Sequence, residues 1–162
     1  LLLLESEPTQ PAIAEIAGCG AASEQAGLTG VSAEGDALYL AVKRALATAG
    51  IDAEAVDFIV GHGAGTVKGD AAEMRAYSRI FPKLPPIVLH KWCFGHSLGA
   101  SAAQSLILAC EHLRSGELPP HPYFPEGHEA FGPRRLSRQR YALVASMGFG
   151  GNACAIVLQN TL

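Results

Sequence analysis

The chain has 162 residues, of which 49% are hydrophobic and 17% charged, so it is long and apolar enough to form one packed domain. Its 18 glycines and 10 prolines show no Gly-X-Y period and no low-complexity tract, which excludes a collagen-like chain or a linker. Twelve Lys and Arg residues against 15 Asp and Glu residues give a net charge of −3. This balance argues against a nucleic-acid groove, because phosphate binding needs clustered positive charge.

Leu1 to Leu4 open the chain with a run that is too short to cross a membrane and lacks the basic flank of a signal peptide. We expect this run to form a buried strand. Because a mature protein seldom begins inside a buried strand, we also expect the chain to be a fragment of a longer protein.

Short apolar runs alternate with segments of helical periodicity along the rest of the chain. Strands are predicted over residues 12–19, 56–60, 87–89, 141–146 and 154–159. Helices are predicted over residues 35–49 and 70–80, and over a third segment that follows a loop at residues 91–99 and ends at Gly116. Residues 119–139 lack periodicity and indicate a surface excursion. This order predicts an α/β layer with a mostly parallel sheet whose last two strands are antiparallel.

Helical spacing also predicts which side chains are buried. They are Leu38, Val42, Ala45, Leu46 and Ala49 in the first helix, Met74, Tyr77 and Phe81 in the second, and Leu98, Ala102, Leu106, Cys110 and Leu113 in the third.

His62 lies between two glycines directly after the second predicted strand, where small neighbours let a substrate approach the ring. Loops at residues 61–66, 91–99 and 148–151 all follow strands, so they should converge at the carboxyl edge of the sheet. A histidine in such a loop is either an acid–base group or a structural group that satisfies a hydrogen bond. The spacing alone leaves both interpretations open.

Lys91 and His96 lie in the second of these loops, just before a helix. The positive end of a helix dipole lowers the pKa of a histidine and favours the neutral ring, which suits hydrogen bonding to a developing enolate or oxyanion. Lys91 is a solvated surface charge unless a buried carboxylate such as Glu73 holds it in place. Asp70 and Glu73 resemble a capping box and can equally be helix-capping residues.

The third loop, residues 148–151, is too short for GxGxxG and lies between two strands, which argues against a dinucleotide fingerprint and favours a tight hairpin. The basic cluster Arg134, Arg135, Arg138 and Arg140 favours a solvated loop face over a contact with an acidic carrier or a phosphate.

The four cysteines are widely spaced without a CxxC pair, so they predict neither a zinc ribbon nor a redox dithiol and are typical of reduced cytosolic thiols. Cys110 and Cys154 occupy apolar periodic positions, where thiols are usually buried and inert. Cys93 lies between Lys91 and His96, but its bulky neighbours favour an inert thiol over a reactive thiolate there as well.

Taken in chain order, three segments resemble motifs of the β-ketoacyl synthases, the decarboxylating condensing enzymes of fatty acid and polyketide synthesis in the thiolase superfamily. Residues 62–73 resemble the family's HGTxT-x(3)-D-x(2)-E segment, residues 91–96 its K-x(4)-H segment, and residues 147–152 its FGFGG loop. The resemblance is to the second half of such a synthase. It implies a thiolase-like half of three layers, with a mixed five-stranded sheet flanked by helices. Residues 12–162 would be the C-terminal ketosynthase domain, and residues 1–11 the end of the preceding half and a linker.

The resemblance implies that His62 and His96 bind the carbonyl of a malonyl thioester and promote its decarboxylation to an enolate. Lys91 and Glu73, with Asp70 nearby, would keep the two histidines oriented.

The glycine loop would supply the gate and the oxyanion hole by the same resemblance, through Gly148, Phe149 and Gly150. Thr66 would face the phosphopantetheine arm of the substrate. The sequence departs from the family motifs at Ala64, Met147, Trp92 and Phe94.

The resemblance implies no cofactor and no metal, because the substrates are carried on the phosphopantetheine of acyl carrier protein or coenzyme A. The implied partners are acyl carrier protein, the missing N-terminal half and a second synthase subunit in a homo- or heterodimer, with no nucleic acid and no membrane span. The implied location is cytoplasmic. The nucleophilic cysteine of the family belongs to the first half, so these 162 residues alone should not condense acyl groups.

The main alternative is a non-catalytic subunit like the chain-length factors that pair with active synthases. Retention of His62, Lys91 and His96 favours catalysis, whereas Trp92 and Met147 favour divergence. A thiolase proper fits less well, because its second catalytic cysteine precedes a glycine-rich turn, whereas Cys154 follows Gly150 and Gly151. A free-standing half-domain that acts only as a binding module would need a partner to cover its apolar start.

Overall fold

The structure, a computed structural model, describes residues 2–124 and 129–162. Its strands are β1 (Ala14–Ser23), β2 (Phe58–Val60), β3 (Ile87–Val88), β4 (Glu117–Leu118), β5 (Arg134–Arg135), β6 (Tyr141–Gly148) and β7 (Asn152–Asn160). Its helices are α1 (Asp36–Ala49), α2 (Val67–Ser78), α3 (Lys91–Phe94) and α4 (Ser101–Ser115), with 3-10 turns at Ala53–Ala55 and Leu98–Ala100. The predicted alternation of strands and helices is confirmed, and the short elements α3, β4 and β5 are added to it.

Five strands form one mixed sheet in the order β1-β7-β6-β2-β3. The strands β6, β2 and β3 are parallel neighbours, and Val60 pairs with Val144 on one side and with Val88 on the other. The strand β7 is antiparallel to both β1 and β6, as predicted for the last pair, so four of the five strands share one direction. Because β2, β3 and β6 point the same way, the loops that follow them leave the same edge of the sheet.

Helices cover both faces of this sheet and complete the three layers. The core between the sheet and the helices α1 and α2 includes Leu38, Val42, Ile59, Tyr77, Leu143 and Val157. The core between the sheet and α4 includes Phe58, Val60, Ala109, Leu113 and Val144. Side chains of β2 alternate between the two cores, because successive residues of a strand point to opposite faces.

Two glycines of β1 let α1 lie directly against the strand. A Cβ atom on Gly20 would be 2.7 Å from the backbone nitrogen of Ala45, and one on Gly18 would be 2.5 Å from that of Ala49. The sequence interpretation ended this strand at residue 19 because of these glycines, but β1 continues to Ser23. The glycines serve close helix packing here and not a turn.

The helix α4 turns a different face to the sheet than its apolar spacing predicts. Its buried positions are Ser101, Ser105, Ala109, His112 and Leu113. Leu106 and Cys110 lie half-buried at the margin, and Leu98 is 72% exposed in the 3-10 turn before the helix. The small side chains of Ser101, Ser105 and Ala109 let the helix lie close to the sheet, and the hydrogen bonds of His112 allow its burial. A prediction that ranks side chains by hydrophobicity alone does not find this face.

Besides that of Leu98, two predictions of burial are wrong. Leu2 to Leu4 form no strand and are exposed, because they pair with neither edge of the five-stranded sheet. Cys154 of β7 is exposed as well, on the α4 side of the sheet but beyond the part that α4 covers.

The predicted surface excursion at residues 119–139 is partly packed. The strand β5 pairs antiparallel with β4, with Leu118 opposite Arg134, and both Phe131 and Leu136 are buried. Residues 125–128 of this segment, like Leu1 of the predicted first strand, lie outside the described residues.

Candidate active site

His62 follows β2 and is buried, with 8% of its surface exposed. Its ring lies edge-on to that of His96, with 5.5 Å between the ring centroids and 75° between the planes. Burial, together with the positive charge of Lys91 and the neighbouring His96, lowers the pKa of His62 to about 4. His62 is therefore neutral at pH 7. Its Nδ1 atom is buried and has no hydrogen-bond partner among the described residues.

Glu73 of α2 holds the backbone of the His62 loop. Its carboxylate accepts hydrogen bonds from the amide of His62 at 2.6 Å and from the amide of Gly63 at 2.8 Å. A third hydrogen bond comes from the hydroxyl of Tyr77 at 2.7 Å. Burial raises the pKa of Glu73, and these three hydrogen bonds oppose that effect because they favour the charged form. Glu73 is thus a support for the histidine loop and not a helix cap.

Lys91 opens α3 and donates a hydrogen bond through Nζ to the carbonyl oxygen of His62. The sequence pointed to Glu73 as the partner of this ammonium, but no ion pair within 4.0 Å joins these two described residues. Burial lowers the pKa of Lys91, and the negative charges of Glu73 and Asp70 act in the opposite direction. Glu73 and Lys91 therefore meet at the main chain of His62, where one holds its amide and the other its carbonyl.

His96 is exposed and lies between α3 and the 3-10 turn at Leu98–Ala100. It does not stand at a helix N-terminus as the sequence argument required, because α4 begins only at Ser101. The amide of Leu98 donates to Nδ1 of His96 at 3.2 Å. In neutral His96 the proton therefore resides on Nε2, which is free to donate a hydrogen bond to a substrate oxygen.

Thr66 and Asp70 stiffen the loop that follows His62. Thr66 is the N-cap of α2, and its Oγ1 accepts a hydrogen bond from the amide of Gly69 at 3.2 Å. Asp70 reaches back and accepts from the amide of Gly65 at 3.2 Å. The predicted helix start at Asp70 is therefore wrong: α2 begins at Val67, its N-cap is Thr66, and Asp70 and Glu73 lie inside the helix and form no capping box. The hydroxyl proton of Thr66 is still available to a ligand.

The glycine loop is the hairpin between β6 and β7, and it leaves the same sheet edge as the His62 loop. Gly150 and Gly151 have φ values of 82° and 72°, which favour glycine. The amide of Gly150 donates to the carbonyl of Leu28 at 2.8 Å, so this amide is occupied and is not an oxyanion donor in this conformation. Phe149 is 74% exposed, a position from which its ring can move.

Sequence reasoning missed the specific contacts of three buried or half-buried side chains. Tyr77 was assigned only to the core, yet its hydroxyl supports Glu73. His90 and His112 form a hydrogen-bonded pair beside α3, although they belong to no motif. A tyrosine one helical turn after a buried glutamate was a usable signal, because residues four apart meet on a helix.

The basic cluster forms local contacts. Arg138 makes an ion pair at 3.0 Å with the buried carboxylate of Asp57, and the guanidinium of Arg140 stacks 5.0 Å from the ring centroid of Tyr141. Arg134 donates to the carbonyl of Glu129 at 2.5 Å. Structural roles of this kind agree with the interpretation as a loop face.

Acid is expected to destabilise the fold through His62. Its pKa is about 4 in the folded chain against 6.5 when unfolded, so below pH 6.5 the unfolded chain binds a proton that the folded chain does not. His62 should thus lower the free energy of unfolding by about 3 kcal/mol as the pH falls from 7 to 4. Urea denaturation across this range checks the effect. His62→Gln should show a shallower pH dependence than the wild type, and equal slopes would contradict the assignment.

The comparisons with known proteins agree with this geometry. The family described as Beta-ketoacyl synthase, C-terminal domain, matches residues 13–124. A Schizosaccharomyces pombe protein named as a mitochondrial 3-oxoacyl-(acyl-carrier-protein) synthase is 34% identical over 92% of this chain and 38% of its own length. A Vibrio cholerae protein named 3-oxoacyl-(acyl-carrier-protein) synthase 2 is 27% identical over 90% of this chain and 38% of its own length.

Solved structures give the same result. A β-ketoacyl synthase of Burkholderia phymatum superimposes with a TM-score of 0.84 at 27% identity, over 93% of this chain and 38% of that one. The complex of the ketosynthase ApeO with its chain length factor ApeC from Xenorhabdus doucetiae matches with a TM-score of 0.83 at 26% identity, over 96% of this chain and 40% of that one. The chain belongs to the β-ketoacyl synthase family, and it spans about two fifths of the length of each of these four relatives.

Within the described ranges, no helix has the length and apolar run needed to cross a lipid bilayer.

Proposed function

We propose that this domain supplies the decarboxylation site of a β-ketoacyl-(acyl carrier protein) synthase that acts in fatty acid or polyketide synthesis. The observation that supports this most directly is the pair of rings of His62 and His96, 5.5 Å apart at the edge of the sheet. A neutral imidazole that carries its proton on Nε2 donates one hydrogen bond and holds no positive charge. The contact with Leu98 makes His96 such a donor, and we assign the same tautomer to His62, so that the two rings can bind one thioester carbonyl oxygen.

The proposed reaction begins when this oxygen of a malonyl thioester accepts hydrogen bonds from His62 and His96. The bond between the carboxylate carbon and the α-carbon breaks, carbon dioxide leaves, and the electron pair forms an enolate whose negative oxygen the two donors stabilise. The α-carbon then attacks the carbonyl carbon of an acyl thioester on a cysteine. A carbon–carbon bond forms, the carbon–sulfur bond breaks, and the cysteine leaves as thiolate. We assign this cysteine to a part of the full-length protein outside these 162 residues.

The supporting residues fix the geometry of this step. Glu73 and Lys91 hold the main chain of His62 from two sides, so its ring is positioned before substrate binds. Phe149 is proposed as the gate of the site, and Gly148 with Phe149 as the source of a further backbone donor. The exposed hydroxyl of Thr66 is proposed to contact the phosphopantetheine arm.

The proposal includes partners and a location. The substrates are carried on acyl carrier protein or coenzyme A, no cofactor takes part, and a homo- or heterodimer of synthase subunits is the expected assembly. These residues alone are proposed to be inactive, and the full-length protein is proposed to be a cytoplasmic acyltransferase. The second candidate, a chain-length-factor-like subunit, is favoured by Trp92, which is 45% exposed where the family has a small residue.

The test incubates the full-length protein first with an acyl thioester and then with malonyl-(acyl carrier protein). Intact mass measures acylation in the first step, and release of carbon dioxide measures decarboxylation in the second. We expect one acyl group to be gained and carbon dioxide to be released. A protein that is acylated but does not release carbon dioxide would contradict the roles of His62 and His96. A protein that is never acylated would favour the chain-length-factor interpretation.

A further inference from the structure

Two histidines outside the three motifs form a pair behind the candidate active site. His90 is the last residue before α3, and His112 lies near the end of α4. Their Nε2 atoms are 3.0 Å apart, and their rings are nearly parallel, with 15° between the planes. Neither residue has a part in the proposed reaction.

The proton positions in this pair follow from its third member. Nδ1 of His112 is 2.8 Å from the carbonyl oxygen of Glu117. A carbonyl can only accept, so this Nδ1 carries a proton and Nε2 of neutral His112 is an acceptor. His90 must then donate through its own Nε2. Its Nδ1 atom is left as a buried acceptor without a hydrogen-bond partner among the described residues.

The surroundings favour the neutral form of both rings, and the acceptor role of Nε2 requires it of His112. Burial, with His112 and the positive charge of Lys91, lowers the pKa of His90 to about 4. Burial also lowers the pKa of His112, although the hydrogen bond to Glu117 and the charge of Glu111 oppose this. His112 further lies edge-on to the ring of Phe58 at 6.0 Å, which fixes its plane against the core.

The backbone of His90 connects this pair to Lys91. The carbonyl of His90 accepts hydrogen bonds from the amides of Cys93 at 2.9 Å and Phe94 at 3.3 Å, and these close the turn that Lys91 begins. Lys91 in turn reaches the carbonyl of His62. The hydrogen bond between the side chains of His90 and His112 therefore fixes the position of the Lys91 backbone, from which the Lys91 side chain extends.

We propose that His90 and His112 are positioning residues, which anchor the start of α3 to α4 so that the Lys91 ammonium meets the carbonyl of His62. The consequence for turnover rests on the proposed function, whereas the consequence for Lys91 itself does not.

The first test replaces the acceptor in the full-length protein. His112→Leu removes it, His112→Gln restores a carbonyl oxygen that can accept from His90, and Leu113→Ala is the control because it destabilises the same helix from a fully buried position. In malonyl decarboxylation we expect His112→Leu to lose about tenfold in kcat with KM unchanged. His112→Gln should recover most of this loss, and Leu113→Ala should retain the wild-type kcat at temperatures where it is folded. A kcat of His112→Leu equal to that of Leu113→Ala would overturn the proposal.

The second test does not depend on catalysis. Lys91 is labelled with the N-hydroxysuccinimide ester of acetic acid and followed by peptide mass spectrometry, with the exposed Lys68 as internal reference. We expect Lys91 of His112→Leu to react several times faster than Lys91 of the wild type or of Leu113→Ala, because Nζ, which attacks the ester as the free amine, is no longer held at the carbonyl of His62. Equal rates would overturn the positioning role. A wild-type protein that never decarboxylates malonyl thioesters would overturn only the proposed function. The labelling rates would still test whether His90 and His112 position Lys91.

Discussion

His96→Ala is expected to lower the rate of malonyl decarboxylation at least 100-fold in the full-length protein, while loading of the acyl group continues. Removal of one donor from an enolate or oxyanion site commonly costs about 100-fold to 1,000-fold in rate. The proton of neutral His96 is on Nε2 because Nδ1 accepts from Leu98, so the ring has one free donor to lose. Carbon dioxide release and intact mass after incubation with an acyl thioester measure the two steps separately.

Two further variants are controls for this prediction. His96→Gln keeps an amide N–H near the position of Nε2 and should retain more activity than His96→Ala. Leu98→Ala changes an exposed side chain of the same turn but preserves the imidazole and the amide that supports it, so it should decarboxylate at close to the wild-type rate. Unchanged decarboxylation in His96→Ala would remove this residue from the mechanism.

Glu73→Gln is expected to lower both stability and turnover. Each carboxylate oxygen of Glu73 accepts from a backbone amide, one from His62 and the other from Gly63. A glutamine has a single acceptor oxygen, so its NH₂ group must face one of these N–H groups and leave it unpaired. The cost of such a buried, unsatisfied donor is about 1–3 kcal/mol in the free energy of unfolding. The displaced His62 ring should reduce turnover roughly 100-fold, as expected for a misplacement of about 1 Å.

Urea denaturation and steady-state kinetics of the full-length protein check both effects. The matched control is Glu34→Gln, an exposed glutamate before α1 whose loss should leave stability and kcat unchanged. Wild-type kinetics in Glu73→Gln would return Glu73 to a purely structural role within α2.

The convergence of the site could be predicted from the sequence, because parallel strands bring the loops after them to one edge. His62 and Lys91 follow the neighbouring parallel strands β2 and β3, and the structure places the Lys91 ammonium at the carbonyl of His62. The order of strands and helices could be predicted for a similar reason, since the apolar period changes clearly between residues 35–49 and 56–60.

The way the residues act on one another could not be predicted. Opposite charge suggested a direct pair between Glu73 and Lys91, but the main chain of His62 takes both hydrogen bonds. Spacing cannot show whether a carboxylate will meet a side chain or a backbone amide, because both lie within reach of the same rotamers. The pair of His90 and His112 was invisible for a related reason: the two residues are 22 positions apart and belong to different elements.

Glu73 and Lys91 bind the backbone amide and carbonyl of His62 and not its ring, and this has an evolutionary consequence. A substitution of the imidazole at position 62 would remove the proposed chemistry but none of the hydrogen bonds to Glu73 and Lys91 that shape the loop. A duplicated copy of the gene could therefore lose the proposed activity in one substitution and still encode a folded subunit. In a fold of this kind, an inactive partner subunit could evolve from an active enzyme without compensating substitutions elsewhere in the loop.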